Sequence, residues 1–366
     1  MPALSRPARI LPLAVADLGR LRARVRALAE NRPAVYRFLD PTGRVLYVGK
    51  ALRLRTRLLS YFRAAWPDDK ASRILHAAHD IQWDYHPSEF AALLGELRAI
   101  RRFRPPFNDR LNRTRRAVLV SVAGGQAPRI VCGAVVPKGA ARAWGPFRSL
   151  QRTALALRTL NDLLGLRDCA LDMPIVWPGQ GDLFDHPRDA GCMRHPLGLC
   201  TGPCAGLVSE REYAERVARA VAFLDGRALG PMQDAIGAMQ AHAQEGDYER
   251  AARWKEKFED LEWLLEGTTR ARLAVEALTF TYRDPGVHGD DRAYVIRHGR
   301  VRLAFPWPAT PIEREAFDAA VRTELETPAP EGPLPIDAID EVLLLLSWFR
   351  RHPGALARTE ALVPGA

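Results

Sequence analysis

The sequence predicts a multidomain α+β protein, and three of its features support this prediction. A chain of 366 residues is too long for one ordinary domain. Hydrophobic residues make up 47% of it, which is enough to fill several cores. Short runs with the alternation of β-strands lie between longer stretches whose apolar residues recur at helical spacing. We therefore expect small antiparallel sheets with helices packed on them.

The first module is expected at residues 32–113, after an N-terminal helical segment at residues 1–31. Its first two strands are joined by Asp40-Pro41-Thr42-Gly43, which has the composition of a turn, so they should form a hairpin. Ser88 is a good N-cap for the last helix of the module, which ends before Pro105. The predicted elements up to this point are strands at 34–39, 45–49 and 81–85 and helices at 15–29, 52–62, 74–78 and 88–104.

Three further regions are expected after this module. They are a mixed linker domain with a cysteine cluster at 114–205, a helical region at 206–268, and a mixed α/β region at 269–366 whose role the sequence does not indicate. Their predicted elements are strands within 117–136 and at 293–296 and 301–305, and helices at 150–164, 209–224, 232–244, 248–265 and 336–349.

Basic residues are concentrated in two stretches of a chain whose formal net charge is +10. Residues 41–67 contain six lysines or arginines and no acid, and residues 98–116 contain eight arginines against one aspartate. Ordinary solvated helix faces mix both signs of charge. The planar guanidinium of arginine suits phosphate oxygens better than the point charge of lysine does. These stretches therefore predict a surface that binds the phosphates of a nucleic acid.

No stretch of the sequence resembles a membrane-spanning helix. The longest apolar runs, such as Val342 to Leu346, are far too short to cross a bilayer. The apolar stretch from Ile10 to Val15 is also short, and Asp17 follows it, unlike a signal peptide. We expect a cytoplasmic protein without a membrane partner.

Four of the five cysteines lie within 36 residues, at Cys169, Cys192, Cys200 and Cys204. In a cytoplasmic protein such clustering favours a bound metal over disulfides. Four thiolates can hold zinc or an iron–sulfur cluster, and their spacing alone does not choose between the two. The alternative is that the thiols are reduced and only pack. Cys132 lies outside the cluster and is expected in a core.

Several groups in the first module together suit the hydrolysis of a phosphodiester bond. Glu96 lies at the edge of a single apolar stripe on the last helix, so its carboxylate can face a cleft between helix and sheet. Lys50 and Arg57 are seven residues apart, so two helical turns could bring both cations together. Each group alone has a simple structural explanation. Together they supply a hydroxyl to align water, cations for the developing charge and a carboxylate for a hard cation. The stripe consists of Phe90, Leu93, Leu94, Leu97 and Ile100, and the hydroxyls are those of Tyr36 and Tyr47.

At these residues the chain resembles a known nuclease family. Ala34-Val35-Tyr36 and Tyr47-Val48-Gly49-Lys50 are similar to the two halves of the GIY-YIG signature, with Ala34 where the family usually has glycine. Residues 49–62 and 96–108 are similar to UvrC-type excinucleases at the same spacing. The resemblance implies an α+β GIY-YIG module that cleaves DNA with one Mg²⁺ or Mn²⁺ ion. It also implies these roles: Tyr47 as the base or water aligner, Tyr36 and Lys50 as its helpers, Arg57 and Tyr61 as phosphate contacts, Glu96 as the metal ligand, and Asn108 as a brace.

The region that contains the cysteine cluster extends the resemblance. The run from Trp144 to Ser149 and the spacing of Cys192, Cys200 and Cys204 are similar to UvrC proteins, in which a preceding cysteine, matched by Cys169, completes the set. This resemblance favours a [4Fe-4S] cluster over zinc. The 22 residues between Cys169 and Cys192 are a longer insertion than the family pattern.

Residues 246–254 resemble the UVR helical hairpin through which UvrC-type proteins meet a UvrB-type helicase. The continuation Lys255-Glu256-Lys257 departs from the usual pattern, and packing into a core is an alternative interpretation. After Arg270 the resemblance fades. The 96 residues that follow are too few for the further nuclease and helix-hairpin-helix units of full-length UvrC, and His288, Asp290, Asp291 and His298 suit loops better than a catalytic triad. The chain therefore resembles a single-site, Cho-type relative.

The function implied is a structure-directed endonuclease of nucleotide excision repair that incises damaged double-stranded DNA 3′ to the lesion. One alternative is a mobile-element endonuclease built on the same module, which would need a sequence-specific DNA-binding extension. The other is a non-catalytic adaptor that binds only DNA and a helicase, against which Tyr47, Arg57 and Glu96 argue because all three are present.

Overall fold

The structure is a computed structural model, and it describes residues 17–108, 117–170, 172–179, 189–328, 334 and 338–362. The described residues form an α+β fold with three small antiparallel sheets and helices packed against them, which confirms the predicted class. The N-terminal apolar stretch and the part of the second arginine-rich stretch at 109–116 lie outside the described residues.

The first module has the predicted order of two strands, two helices, a strand and a helix, preceded by one helix. Its three strands pair antiparallel in the order β2-β1-β3, so β1 is central and β2 is an edge strand. The elements are α1 (Leu18–Leu28), β1 (Ala34–Leu39), β2 (Val45–Ala51), α2 (Leu54–Tyr61), α3 (Lys70–Ala77), β3 (Asp80–Tyr85) and α4 (Glu89–Phe103).

The two faces of this sheet are covered by different helices. Side chains alternate along a strand, so Tyr36 and Phe38 point to one face while Val35 points to the other. The first face packs with residues of α1, α2 and α3. On the opposite face Val35 and Val48 pack against Ala92 and Ile100 of α4.

Helix α4 begins and ends at clear local signals. The Ser88 side chain accepts a hydrogen bond from the Ala91 N–H, as predicted for its N-cap. The helix ends at Arg104, whose φ of 44° is left-handed. The expectation of one apolar stripe on α4 was wrong, because Ile100 faces the nuclease sheet while Phe90 packs in a second core.

The middle of the chain is built on one core that continues into the helical region. Trp144, Phe147 and Leu160 share this core with Leu261 and Leu264. Helix α8 ends eleven residues beyond its predicted end at 265. The elements are β4 (Val118–Ala123), β5 (Arg129–Gly133), β6 (Ala143–Phe147), α5 (Leu150–Leu163), α6 (Glu210–Leu224), α7 (Gly230–Gln244) and α8 (Tyr248–Glu276). Their sheet has the order β5-β4-β6.

The last region is a four-stranded antiparallel sheet with three helices, in the strand order β10-β7-β8-β9. Two of its strands and its first long helix were not predicted. The elements are β7 (Phe280–Asp284), β8 (Arg292–Arg297), β9 (Arg300–Pro306), α9 (Pro311–Glu326), α10 (Ile339–Arg351), α11 (Pro353–Leu356) and β10 (Thr359–Ala361). Among the described helices of the whole chain, none is long and apolar enough to cross a membrane.

Candidate active site

The open edge of strand β2 positions two of the predicted site residues. The outer N–H and C=O groups of an edge strand lack a neighbouring strand, so other groups must satisfy them. Asn108 does this at Val48: its Oδ1 accepts from the Val48 N–H and its Nδ2 donates to the Val48 carbonyl, both at 2.8 Å. Two residues further on, the Lys50 N–H donates to Oε1 of Glu96 at 3.1 Å. The edge therefore fixes both side chains relative to the strand.

The side chains of three tyrosines lie together on the face of the nuclease sheet that is turned away from α4. The ring centroids of Tyr36, Tyr47 and Tyr61 lie 5.9 to 6.4 Å apart, and Phe38 packs with all three. The hydroxyls of Tyr36 and Tyr61 are hydrogen-bonded at 2.9 Å. Both of these side chains are buried, whereas Tyr47 is only half-buried. Tyr47 is therefore the tyrosine of the three best placed to meet a solvent molecule or a substrate.

Gly49 makes room for this arrangement. It lies opposite Tyr36 in the β1–β2 ladder. A Cβ at position 49 would come within 2.6 Å of the Tyr36 hydroxyl and 2.9 Å of the Tyr47 ring. Packing therefore explains the glycine at position 49, because the Cβ of any other residue would displace the two tyrosines.

Arg57 joins the tyrosines from α2. Its Nε donates to the Tyr36 hydroxyl at 3.2 Å, and its guanidinium carbon lies 5.3 Å from the centroid of the Tyr61 ring. The side chain is exposed, so its terminal nitrogens remain available for an anion. The neighbouring Tyr36 hydroxyl is the largest cause that holds the pKa of Arg57 above its ordinary value. The geometry is that of a fixed cation beside a set of hydroxyls.

Burial keeps two of the tyrosines protonated. It raises the pKa of Tyr36 to about 12, and the nearby Tyr47 adds to this rise. Burial also raises the pKa of Tyr61 well above its ordinary value. Both phenols are therefore protonated at neutral pH, and they can donate hydrogen bonds but not act as bases.

Lys50 has a partner that the sequence did not reveal. Its Nζ lies 3.0 Å from Oε1 of Glu89, which is in the first turn of α4. Glu89 precedes Glu96 by seven residues, about two helical turns, so the two carboxylates share one face of α4. That spacing is the signal in the sequence that could have identified Glu89. The expectation that two helical turns separate Lys50 from Arg57 was wrong, because Lys50 is in β2 and α2 begins only at Leu54.

The carboxylate of Glu96 suits a site for one hard cation. Mg²⁺ is commonly held by one or two carboxylates, with water and substrate phosphate as the other ligands. In the described part of the chain, no group of three or more His, Cys, Asp or Glu side chains is placed to hold a metal ion. The donor set at Glu96 therefore fits a cation that water and a phosphate would complete, not an all-protein cage.

Three exposed arginines lie on or next to α2. Arg53, Arg57 and Arg63 are exposed, and none of them forms an ion pair within the described residues. In the second basic stretch Arg101 is 3.6 Å from Glu341, so this cation is already paired within the chain.

The cysteine segment lies between α5 and α6. Burial raises the pKa of both Cys200 and Cys204, and the Cys169 thiol raises each of them further, while Cys192 contributes at Cys204. The four predicted thiols thus share one neighbourhood. They do not stand at metal-binding geometry in the described part of the chain, so the structure does not support the expected [4Fe-4S] cluster. Cys132 packs against the middle core, as expected.

The four His and Asp residues for which the sequence suggests loops, His288, Asp290, Asp291 and His298, lie in loops and turns. His288 and Asp290 are exposed in the loop after β7, and His298 occupies the β8–β9 turn with a φ of 49°. Asp291 forms an ion pair with Arg283 at 2.9 Å.

Comparison with known proteins matches two families in tandem. Residues 32–109 match the UvrC-like GIY-YIG domain, and residues 118–223 match the middle domain of the UvrC/Cho excinucleases. The UvrABC system protein C of Pseudomonas fluorescens is 30% identical over 324 residues, which cover 86% of this chain and 50% of that protein. That of Ectopseudomonas mendocina is 31% identical over 231 residues, covering 63% and 36%. The chain thus spans at most half the length of these two relatives.

A solved structure matches the first module. It is the crystal structure of the GIY-YIG N-terminal endonuclease domain of UvrC from Thermotoga maritima bound to magnesium, its catalytic divalent cation. The identity is 33%, the match covers 24% of this chain and 96% of that chain, and the TM-score is 0.22.

Proposed function

Because the chain belongs to the UvrC-type excinucleases, with a GIY-YIG endonuclease domain followed by the UvrC/Cho middle domain, we propose that it nicks DNA in nucleotide excision repair. The observation that carries this proposal is that one hairpin and the helices α2 and α4 packed on it hold hydroxyls, a cation and a carboxylate, with the carboxylate bonded to the edge of β2. These groups are Tyr36, Tyr47, Arg57, Tyr61 and Glu96.

The geometry assigns each group a part in phosphodiester hydrolysis. Arg57 keeps its Nε on Tyr36 and presents its terminal nitrogens to the phosphate, whose charge grows in the transition state. Tyr61, protonated and bonded to Tyr36, orders this cation. The half-buried side chain of Tyr47 would align the attacking water through its hydroxyl or, as a phenolate, take the proton of that water.

Glu96 would hold the divalent cation, Mg²⁺ or Mn²⁺. When bound, that cation polarises the phosphate and stabilises the leaving oxygen. Lys50 is restrained by Glu89 beside this carboxylate, and its positive charge lies on the same side of the sheet. Asn108 keeps the edge of β2 straight by bonding both backbone groups of Val48, so it braces the site without touching the substrate.

The proposed substrate is damaged double-stranded DNA, incised 3′ to the lesion. The exposed arginines of the first module suit its phosphates, which are read without regard to sequence. Sequence-independent contacts fit a repair enzyme better than a mobile-element endonuclease. Such an enzyme acts in the cytoplasm of a bacterial cell, where the chromosome lies.

A UvrB-type helicase is the proposed partner, through the hairpin of α7 and α8. The UVR-like residues lie at its turn, where Tyr248 is 74% exposed, while the deeper residues Leu261 and Leu264 are buried. Ala251 is buried and Trp254 packs against the middle core, so the exposed residues of this segment are the ones that could meet a partner.

A metal at the cysteine segment is proposed to draw the four thiols together, because they share one neighbourhood without standing at metal-binding geometry, and the family resemblance favours [4Fe-4S] over zinc. What supports this is the shared neighbourhood of Cys169, Cys192, Cys200 and Cys204. Elemental analysis of anaerobically purified protein tests it: about four irons per chain are expected for such a cluster. One zinc without iron would replace the cluster by a zinc site, and neither metal would show that the thiols only pack.

An incision assay tests the proposed function. A duplex with one defined lesion, labelled at either 5′ end in turn, is incubated with the protein and Mg²⁺, with and without the helicase. We expect one nick on the damaged strand, 3′ to the lesion. Binding without any nick would support the non-catalytic adaptor, and cleavage of undamaged DNA at a fixed sequence would support the mobile-element alternative.

A further inference from the structure

Helix α4, which carries Glu96, is packed between two sheets. Its inner face lies on the nuclease sheet through Ala92 and Ile100. Its outer face lies on the C-terminal sheet, where Phe90 is fully buried. The Phe90 ring meets four aromatic rings of the last region at centroid distances of 5.0 to 6.4 Å: those of Tyr282, Tyr294, Trp348 and Phe349.

The N-terminus of α4 is also held by the C-terminal region. The N-cap Ser88, besides accepting from Ala91, donates its hydroxyl proton to the carboxylate of Asp284 at the end of β7. Both side chains are buried, and Tyr282 donates to the other oxygen of Asp284 at 3.3 Å. One residue before the cap, the Pro87 carbonyl accepts from the Val287 N–H at 2.8 Å.

The other end of α4 has a third contact. Arg101, in its last turn, lies 3.6 Å from Glu341 and 3.9 Å from Asp340, both in the first turn of α10. The C-terminal region thus contacts α4 at three places: its N-cap, its outer face and its last turn. Glu96 lies between these anchors, on the inner side.

We propose that the C-terminal region, residues 278–362, is a built-in clamp of the nuclease that sets the position of Glu96, with Asp284 as its main positioning residue. This inference rests on the proposed function. Glu96 contacts β2 through the Lys50 N–H, so a slide or rotation of α4 would move the carboxylate along that edge. Ala92 and Ile100 pack against the nuclease sheet, whereas Phe90, Leu94 and Leu97 are buried in the core that α4 shares with the C-terminal region.

A clamp of this kind acts on catalysis through the metal ligand and not through DNA binding. Residues that orient a ligand typically contribute about 10-fold to 100-fold in metal affinity or activity. Lys50 pairs with Glu89 of α4, whereas the other basic residues of the first stretch lie on the hairpin and on or beside α2, which packs on the opposite face of the nuclease sheet. We therefore expect the clamp to affect kcat and cation affinity while the KM for DNA stays nearly constant.

The test uses three variants of the full-length chain. Asp284→Ala removes the acceptor for Ser88, and Asp284→Asn restores an acceptor oxygen of the same shape. Glu324→Gln is the matched control, because Glu324 is a shielded carboxylate of the same region whose ion pairs are with Arg297 of β8 and Arg302 of β9. The first measurement is Mn²⁺ binding by electron paramagnetic resonance. The binding that remains in Glu96→Gln is subtracted, so that only Mn²⁺ bound through Glu96 is counted. The second measurement is the single-turnover nicking rate as a function of DNA concentration.

Asp284→Ala is expected to weaken Glu96-dependent Mn²⁺ binding and kcat by about 10-fold each, with KM within about twofold. Asp284→Asn should recover most of this loss, and Glu324→Gln should show none of it. Wild-type Mn²⁺ affinity and kcat in Asp284→Ala would overturn the clamp, and so would equal losses in the Glu324 control. If the wild type neither nicks DNA nor binds Mn²⁺ through Glu96, the proposed function itself fails, which is a separate outcome.

Discussion

The nuclease module and the cysteine segment are both recognisable by residue spacing, yet the structure organises them differently. In the nuclease module most functional side chains lie on a strand or helix and contact a neighbouring element, as Glu96 of α4 does through the Lys50 N–H. In the cysteine segment the four thiols come near one another, but no helix or strand of the described chain holds them. The first site is therefore organised by folding, whereas the second would be completed only by the metal proposed for it.

This difference has a physical cause. Regular elements share their hydrogen bonds with neighbours, so the position of a side chain on them is set by the whole sheet. Thiols on turns have no such support until a metal joins them, and metal binding then contributes directly to folding. A change in the nuclease site should thus affect chemistry first, and a change in the cysteine segment should affect stability first.

The largest effect is expected for Glu96→Gln. This change removes the charge that holds the cation, so nicking should fall about 10³-fold while DNA affinity and melting temperature stay near wild type. Glu89→Gln is the matched control on the same helix face, and its effect should be smaller because Glu89 pairs with the Lys50 ammonium and is not the carboxylate assigned to the cation. Single-turnover nicking rates measure both. Wild-type rates in Glu96→Gln would contradict the assignment of the metal ligand.

Removal of Cys200 should affect stability more than catalysis, unlike the change at Glu96. We expect Cys200→Ala to lower the free energy of unfolding by about 3 kcal/mol and to release the bound metal. The nicking rate per folded molecule should change little, because no thiol lies among the groups of the nuclease site. Cys132→Ala is the control, since Cys132 only packs against the middle core. A loss of nicking without any loss of stability would break the contrast between the two regions.

Arg57→Ala should reduce kcat about 100-fold, because it removes a cation aimed at the transition-state charge. Arg57→Lys should restore little, since one ammonium cannot bond the Tyr36 hydroxyl and reach a phosphate in the fixed geometry of a guanidinium. Steady-state kinetics on a lesion duplex separate the possibilities. A change confined to KM would make Arg57 a binding contact.

The smallest effect concerns pH and Asp284. Burial raises the pKa of this carboxyl to about 6, although the hydroxyls of Ser88 and Tyr282 and the charge of Arg358 oppose the rise. Nearby Asp291 reinforces it. Because the folded state holds the proton more tightly, stability is highest at acid pH and falls as pH rises through 6.

The expected loss from this group is about 1 kcal/mol between pH 5 and 7, since a pKa difference of one unit is worth about 1.4 kcal/mol. Urea unfolding at each pH, compared between the wild type and Asp284→Asn, isolates it. Equal slopes in the two proteins would show that Asp284 titrates normally.

The order of elements in the first module could be predicted from the sequence because alternation, turn residues and an N-cap are local signals. The strand pair around Asp40 and the cap at Ser88 are examples. The ion pair of Lys50 with Glu89 could not, because it joins a strand to a helix 39 residues away. The contact between α4 and the C-terminal region could not be predicted either. An apolar stripe shows that a helix is buried, but it does not show how many other elements the helix packs against.

The measurement that tests the central contrast most directly is hydrogen exchange of backbone amides in protein prepared with and without bound metal. We predict that the amides of β2 and α4 exchange slowly in both preparations, because the fold alone holds the nuclease site. The amides around Cys200 and Cys204 should be protected only in the metal-bound preparation. Equal protection of the cysteine segment with and without metal, or rapid exchange along β2 in the metal-free protein, would contradict the account.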